Sequence, residues 1–363
     1  MKRSSDRYIF SSDILRRHDR RRKRIKVILL AFALLIISLV VANFLISRNV
    51  KVEEVRITIL NLPKDLEEYS ILHISDLHGA RYGKKQKAIE TALRDYNYSC
   101  VVMTGDMLGN DQDVEPLLEL VALIPEGKHI IYIPGDMDPD PVEYKAHSSL
   151  SPYAGWAEQL QNAGVTILDR PVKDTRGKGT IWFIPEELYA VDLDEMEKAY
   201  NRQRETLKSI LNPTPDDNAY LNTLDKYQLG EEGRIAEIRR ILAEIKPEDI
   251  QIVLTHIPLT EEYIDRMVSG TKKEDIFSLR YAGLILAGHY NGGQWRIPFV
   301  GALYEPDLGW FPPDDQIQGL SYPYGIPQYI SPGMGSDPRY TWEPGRLFNS
   351  PVITKITLTR KAR

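Results

Sequence analysis

The chain has 363 residues, 42% hydrophobic and 27% charged, with a formal net charge of −5. That balance suits one large folded domain with additions and excludes a disordered, collagen-like or disulfide-dense chain. The single cysteine, Cys100, lies in an apolar run, forms no internal disulfide and is expected as a small buried residue.

Charge is spread unevenly. Residues 1–26 carry eleven Lys and Arg against three Asp, a net of +8, so the remainder of a chain whose total is −5 holds −13. Residues 27–47 then read VILLAFALLIISLVVANFLIS, without a charge and apolar on every face. At ~1.5 Å per residue such a helix spans a hydrocarbon core of about 30 Å. The basic cluster Arg20 to Arg24 with Lys26 predicts that residues 1–26 form a cytoplasmic tail and that residues 48–363 lie outside the membrane. A cleaved signal, with Val40-Val41-Ala42 as its small-residue site, is the alternative. The basic tail beside a membrane span is expected to meet anionic lipid, and the acidic remainder excludes nucleic acid as a partner. The sequence leaves the oligomeric state open.

Beyond the span, Val50 to Leu60 is expected as an entry strand. Strands over Ile71–Ile74, Cys100–Met103 and Ile130–Ile133 alternate with helices near Lys85–Asp95 and Pro116–Leu123, a rhythm that predicts a largely parallel sheet. A helix over Trp156–Ala163 and strands at Val165–Leu168 and Thr180–Ile184 follow. From about 192 to 246 the pattern changes. Met196, Tyr200, Leu207 and Leu211, then Ile235, Ile238, Leu242 and Ile245, recur near helical spacing around Asn212-Pro213-Thr214-Pro215. This predicts a helical hairpin insertion, either a solvated decoration or a lid or dimer contact. After Gln294 the chain is rich in Pro, Gly and aromatics, including Tyr304, Trp310, Phe311, Tyr322, Tyr324 and Tyr329. Such a stretch is either self-packed, part of a substrate pocket, or a contact with lipid headgroups.

Five short motifs carry the chemistry: Asp76-Leu77-His78, Gly105-Asp106, Gly135-Asp136-Met137-Asp138, Thr255-His256 and Gly288-His289-Tyr290-Asn291-Gly292-Gly293. Each follows a short apolar run that suits a buried strand, the last two runs being Ile252–Leu254 and Leu284–Ala287. Polar residues at strand ends share an edge of the sheet, where α/β folds place their sites. Asp and His with one amide suit Mn, Fe, Zn or Mg rather than a thiolate-bound metal. Among the remaining histidines, His73 is expected buried and hydrogen-bonded, His129 exposed and His18 in the basic tail.

The order of these motifs resembles the calcineurin-like metallophosphoesterase superfamily, whose pattern is D-x-H, G-D, G-N-H-[DE], H and G-H-x-H. The form Gly288 to Gln294, and the closing stretch Tyr329 to Gly335 with Ile353 to Leu358, are similar to its membrane-anchored bacterial branch. The resemblance implies a four-layer α/β/β/α sandwich carrying an N-terminal transmembrane helix and a helical insertion. It also implies two divalent cations, Mn foremost with Mg, Fe or Zn as alternatives, and a bridging hydroxide as nucleophile. By resemblance Asp76 and His78 hold the first metal and Asp106 bridges both. Asp136, His256 and His289 hold the second, and Asn291 stands where a histidine completes the first. Asp106 and Asp136 are the implied catalytic pair.

Two departures bear on activity. Met137 replaces a histidine that protonates the leaving oxygen, a contribution typically worth ~10²–10⁴-fold. Asn291 replaces the second histidine of the last motif, which with Asp136 tilts the site toward oxygen-preferring Mn or Mg. His147 is expected as a solvated surface residue, with a substitute acid as the alternative. The expected function is membrane-anchored hydrolysis of a phosphoester or pyrophosphate bond in a small-molecule, lipid-linked or wall-linked substrate. The alternative is a weakened or inactive relative that uses its metals for structure or ligand binding.

Overall fold

The computed structural model describes residues 6–109, 111–142, 153–209, 230–272, 275–337 and 345–360. In chain order the strands begin with β1 (Lys51–Thr58), β2 (Ser70–Ile74), β3 (Cys100–Thr104), β4 (His129–Ile133) and β5 (Val165–Ile167). Next come β6 (Val172–Arg176), β7 (Gly179–Pro185), β8 (Ile250–Leu254) and β9 (Ala282–Ala287). Two short hairpins follow, β10 (Arg296–Ile297) with β11 (Gly301–Ala302) and β12 (Tyr304–Glu305) with β13 (Gly309–Trp310). The last strands are β14 (Gly319–Ser321), β15 (Gln328–Ile330) and β16 (Val352–Thr359). The helices are α1 (Asp6–Arg48), α2 (Lys87–Leu93), α3 (Glu115–Val121), α4 (Gly155–Asn162), α5 (Leu193–Lys208), α6 (230–242), α7 (Glu261–Ser269) and α8 (Asp314–Ile317).

Two six-stranded sheets form, ordered β1-β16-β2-β3-β4-β5 and β14-β15-β9-β8-β7-β6. Strands β2 to β5 run parallel, as do β15, β9, β8 and β7. Strict alternation along fully buried strands explains the layers. Ile71, Cys100, Val102 and Ile131 face Phe183, Ile252, Leu254 and Leu286 of the other sheet in one inner core. Their neighbours Leu72, Ile74, Val101 and Met103 face outward onto Ile89, Leu117 and Leu160 of α2, α3 and α4. On the far side Val253 and Ile285 pack on Ile264 and Val268 of α7. Helix, sheet, sheet and helix therefore stack as the expected four-layer α/β/β/α sandwich. His73 is buried on the inner face, where its Nε2 meets Thr104 Oγ1 at 2.8 Å, and burial pushes its pKa down to about 3. His129 is exposed.

Strand β1 enters beside the closing strand. It runs parallel to β16, and β16 runs antiparallel to β2. The start of β1 consequently lies at the edge where β2, β3 and β4 end. The apolar segment is helical as expected, but the helix begins at Asp6 rather than near residue 27. Residues 6–48 contain neither Pro nor Gly, so nothing breaks the helix across the basic tail. The stretch Arg20–Arg48 is long and apolar enough to cross a membrane.

The insertion forms two antiparallel helices. Arg239 of α6 reaches Glu197 at 2.8 Å and Asp194 at 2.5 Å, and the Tyr200 hydroxyl donates to Glu231 at 3.4 Å. Ile235 and Ile238 are buried, as their spacing predicts. Leu211 and the expected turn at Asn212–Pro215 lie outside the described residues, as does His147.

Candidate metal centre

All seven expected ligands stand at or just beyond strand ends. The edge is not that of a single sheet, as the strand pattern suggested. Asp76, His78, Asp106 and Asp136 follow β2, β3 and β4 of one sheet, while His256, His289 and Asn291 follow β8 and β9 of the other. Face-to-face packing of the sheets brings both edges together, which no local pattern encodes.

The donor atoms form two clusters, Asp76-His78-Asp106 and Asp136-His256-His289, each with its ligand atoms within 4.8 Å of one another. Asp106 stands between them, its Oδ2 3.9 Å from His78 Nε2 and 3.2 Å from His256 Nε2. Asp136 Oδ1 lies 3.0 Å from His256 Nε2 and 3.3 Å from His289 Nδ1. Asn291 Nδ2 is 3.3 Å from His78 Nε2, beside the first cluster. Its Oδ1 is buried without a hydrogen-bond partner. Two carboxylates and an imidazole in the first cluster fit a divalent cation, and oxygen-rich donor sets of this kind suit hard metals.

The backbone is bent to make this arrangement. Asp76, His78, Asp106, His289 and Asn291 all have left-handed φ, between 48° and 81°. Such residues each cost of order 1–3 kcal/mol and persist where the surroundings over-determine them. Gly105, at φ 84°, is required by packing as well: a Cβ there would fall on His256 Nδ1 and 2.6 Å from the Gly135 Cα. Below the site, buried Arg346 donates to the Gly335 and Pro332 carbonyls at 2.8 Å each, and the Gly335 N–H donates to the Asp76 carbonyl at 2.5 Å. Burial lowers the Arg346 pKa to about 10, so the guanidinium stays charged at neutral pH.

Charge in the centre is balanced internally. The bonds from His256 and then His289 hold Asp136 far below the usual carboxylate range. Burial opposes ionisation of Asp106, yet its bond to His256 and the nearby imidazoles leave it below the ordinary value. Burial raises Asp76. Burial also opposes charge on His256, but Asp106 and Asp136 outweigh it and raise that imidazole well above its usual value. Protons here occupy the positions that a cation competes for.

Three supporting groups orient the ligands. His256 donates through Nδ1 to the Thr104 carbonyl at 2.8 Å, which turns Nε2 toward the centre. His289 Nε2 meets Asp307 Oδ2 at 3.0 Å, which turns Nδ1 inward. This carboxylate–histidine pairing fixes tautomer and raises ligand basicity. Asp138 accepts from the backbone N–H of Gly135 and Leu108 at 2.9 Å each and from Met107 at 3.3 Å, tying the second and third motifs together. Asp307 and Asp138 were not assigned roles from sequence. Asp138 has a signal, because it is the fourth residue of a motif already recognised. Asp307 has none, since it lies in an irregular aromatic loop. Met137 donates its N–H to Asp106 Oδ1 at 2.9 Å, so its backbone holds the bridging carboxylate while its thioether offers no acidic proton.

The sequence profile of the calcineurin-like phosphoesterases matches residues 69–290, which spans all five motifs as far as Tyr290. The chain belongs to this family. It is also similar to the solved structure of phosphopantetheinyl hydrolase from Mycobacterium tuberculosis. That similarity has 16% identity and a TM-score of 0.36, and covers 80% of this chain and 96% of the other. Among curated proteins no sequence matches. Family membership and the two donor clusters together indicate divalent-metal binding and metal-dependent phosphoester hydrolysis.

A cavity of about 1140 Å³ opens beside Asp136 and His256. Its walls include Glu186, Glu187, Tyr263 and Arg266, and also Tyr200, Glu231 and Arg234 from the helical insertion. The insertion is therefore a wall of the space next to the metal centre. Burial, reinforced by the charge of Glu187, raises the Glu186 pKa to about 7.

Proposed function

We propose that this phosphoesterase is a membrane-anchored hydrolase that uses two divalent cations to cleave a phosphoester or pyrophosphate bond. The observation that carries the reading is the position of Asp106 between two three-residue donor clusters, within 3.2–3.9 Å of an imidazole from each. Bound there, the cations would polarise a phosphoryl oxygen and supply a nucleophile from water at neutral pH.

The chain's own residues complete the site. Asp106 supplies the shared carboxylate. Asp76, His78 and Asn291 would hold the deeper position, and Asp136, His256 and His289 the one facing the cavity. Thr104 and Asp307 keep both imidazoles in the ligating tautomer. The abundance of oxygen donors favours Mn or Mg over Zn. With Met137 at the proton-donor position, the leaving group must depart without an acid from that residue. Phosphate leaving from a pyrophosphate, or another good leaving group, suits this site better than a simple alkoxide. The apolar helix from Arg20 to Arg48 supports an anchored enzyme whose domain lies outside the cytoplasm, with a phosphorylated small molecule, lipid or wall component as substrate.

The test is Mn-dependent hydrolysis of bis-p-nitrophenyl phosphate by the full chain in detergent, with metal content measured beside Asp106→Ala. Turnover in the parent and none in the variant, with metal lost from both positions, is expected. A second reading, a metal-dependent binding protein, is favoured by Met137. It gains if two metals bind and no ester is cleaved.

A further inference from the structure

Strand topology brings the membrane helix and the metal ligands to one edge of the molecule. Helix α1 ends at Arg48, and β1 starts at Lys51 on the edge where β2, β3 and β4 deliver Asp76, Asp106 and Asp136. The last turn of the helix is fastened there. Ser47 Oγ donates to the Arg346 carbonyl at 2.9 Å, and the Phe348 N–H donates to Asn43 Oδ1 at 2.7 Å. The segment that holds the helix also pairs with the start of the aromatic loops. Arg296 N–H donates to the Leu347 carbonyl at 2.9 Å, and Leu347 N–H to the Gln294 carbonyl at 3.1 Å.

The two hairpins that follow carry large apolar side chains into solvent. Phe299 is fully exposed, and Val300, Trp310 and Phe311 are 64%, 70% and 56% exposed. Ile297, Pro298, Phe299 and Val300 form a tight turn, closed by the Val300 N–H on the Ile297 carbonyl at 3.0 Å. Proline sits second and a residue of φ 69° third, a position that ordinarily takes Gly or Asn. Phe311 also has left-handed backbone, at φ 53°. Neither aromatic gains inner packing in return. Exposed apolar patches of this kind mark interaction surfaces, and aromatic side chains favour the membrane–water interface. The β12–β13 hairpin has a second use. Asp307, at its turn, bonds the ligand His289, while Trp310 of the same hairpin points to the surface.

We propose that the β10–β11 and β12–β13 hairpins dip into the bilayer that α1 spans, and so hold the metal centre at the headgroup plane. The inference rests on the membrane-anchored reading above and deepens it: the phosphoester is presented from the membrane surface rather than from free solution. Continuity between the helix exit, the Arg346–Phe348 segment and the hairpins selects lipid as the occupant over a second copy or another protein.

The test uses the full chain in phosphatidylethanolamine–phosphatidylglycerol vesicles. Spin labels are placed at Phe299→Cys and Trp310→Cys, with Glu126→Cys as an exposed control before β4, at the opposite edge of the sheet. The native Cys100 is buried, so only the introduced thiol reacts. Labels at 299 and 310 should gain collisions with oxygen and lose collisions with an aqueous nickel chelate, relative to 126. Resistance to alkaline carbonate reports separately on α1. A carbonate-resistant chain whose 299 label meets the chelate as freely as the 126 label overturns the proposal and leaves the anchor standing. Labels shielded from both reagents point to protein contact and also overturn it. Extraction by carbonate removes the anchor reading, and this proposal with it.

Discussion

The two donor clusters are built from the same residue types and differ in surroundings. Asp76, His78 and Asp106 lie deep, with Asp76 and Asp106 almost wholly buried and Asn291 beside them. Asp136, His256 and His289 lie at the wall of the large cavity, and the Asp136 side chain is 38% exposed. The deep cluster is tied to the main chain: the His289 N–H donates to both Asp76 carboxylate oxygens, at 3.0 and 3.2 Å. In the outer cluster His256 is oriented by the Thr104 carbonyl and His289 by a side chain, Asp307, from a surface hairpin. Burial raises Asp76, whereas imidazole bonds depress Asp136. One family of motifs has thus produced a buried inner position and a partly exposed outer position beside the cavity.

The largest expected effect concerns the outer position, where Met137 follows the candidate ligand Asp136. Met137→His should raise turnover on alkyl phosphoesters by about 10²-fold, at the low end of what a general acid supplies, and change nitrophenyl esters far less. Equal gains on both ester types, or none, would mean that proton delivery is not what limits this site. The next effect separates the clusters directly. Asp307→Ala should weaken metal binding at the outer position by about 10–100-fold, while Asn291→Ala should weaken the inner one, as read by Mn titration with electron paramagnetic resonance. If either variant loosens both metals alike, the clusters do not act as independent positions.

The smallest effect tests the cavity wall. Glu186 has a folded pKa of about 7 against an ordinary 4.5, the raised value coming from burial and then from Glu187. The folded state therefore holds a proton that the unfolded state releases, and stability falls as pH rises from about 4.5 to 7. Because the group is partly exposed, the loss is roughly 1 kcal/mol after solvent screening. Glu186→Gln should raise the unfolding midpoint at pH 8 and leave it unchanged at pH 5. The same gain at both pH values would show that repacking rather than charge is responsible.

Much of the fold was legible because its signals are local. Short apolar runs ending at polar residues or Gly marked β2, β3, β4, β8 and β9 to within two residues at their starts, since a strand covered on both faces has little else to encode. The candidate ligands Asp76, Asp106, Asp136, His256 and His289 were legible for the same reason, each within the first two polar residues after a buried strand, while His78 and Asn291 follow two residues after Asp76 and His289. The continuation of α1 back to Asp6 was not legible, because charge marks where a span ends and not where a helix ends. Asp307 could not be found, because its partner His289 is eighteen residues away across an irregular loop.

By itself the sequence determined the strands and the apolar helix, which follow from residue type and short-range spacing, and it carried the family resemblance that implies the candidate ligands. Only the tertiary structure decided which sheet delivers each candidate ligand to the common edge. It also placed Asp106 between the clusters, the insertion against the cavity and the aromatic hairpins beside the exit of α1. Those relations join residues far apart in the chain, and they exist only once apolar faces on both sheets are buried against each other.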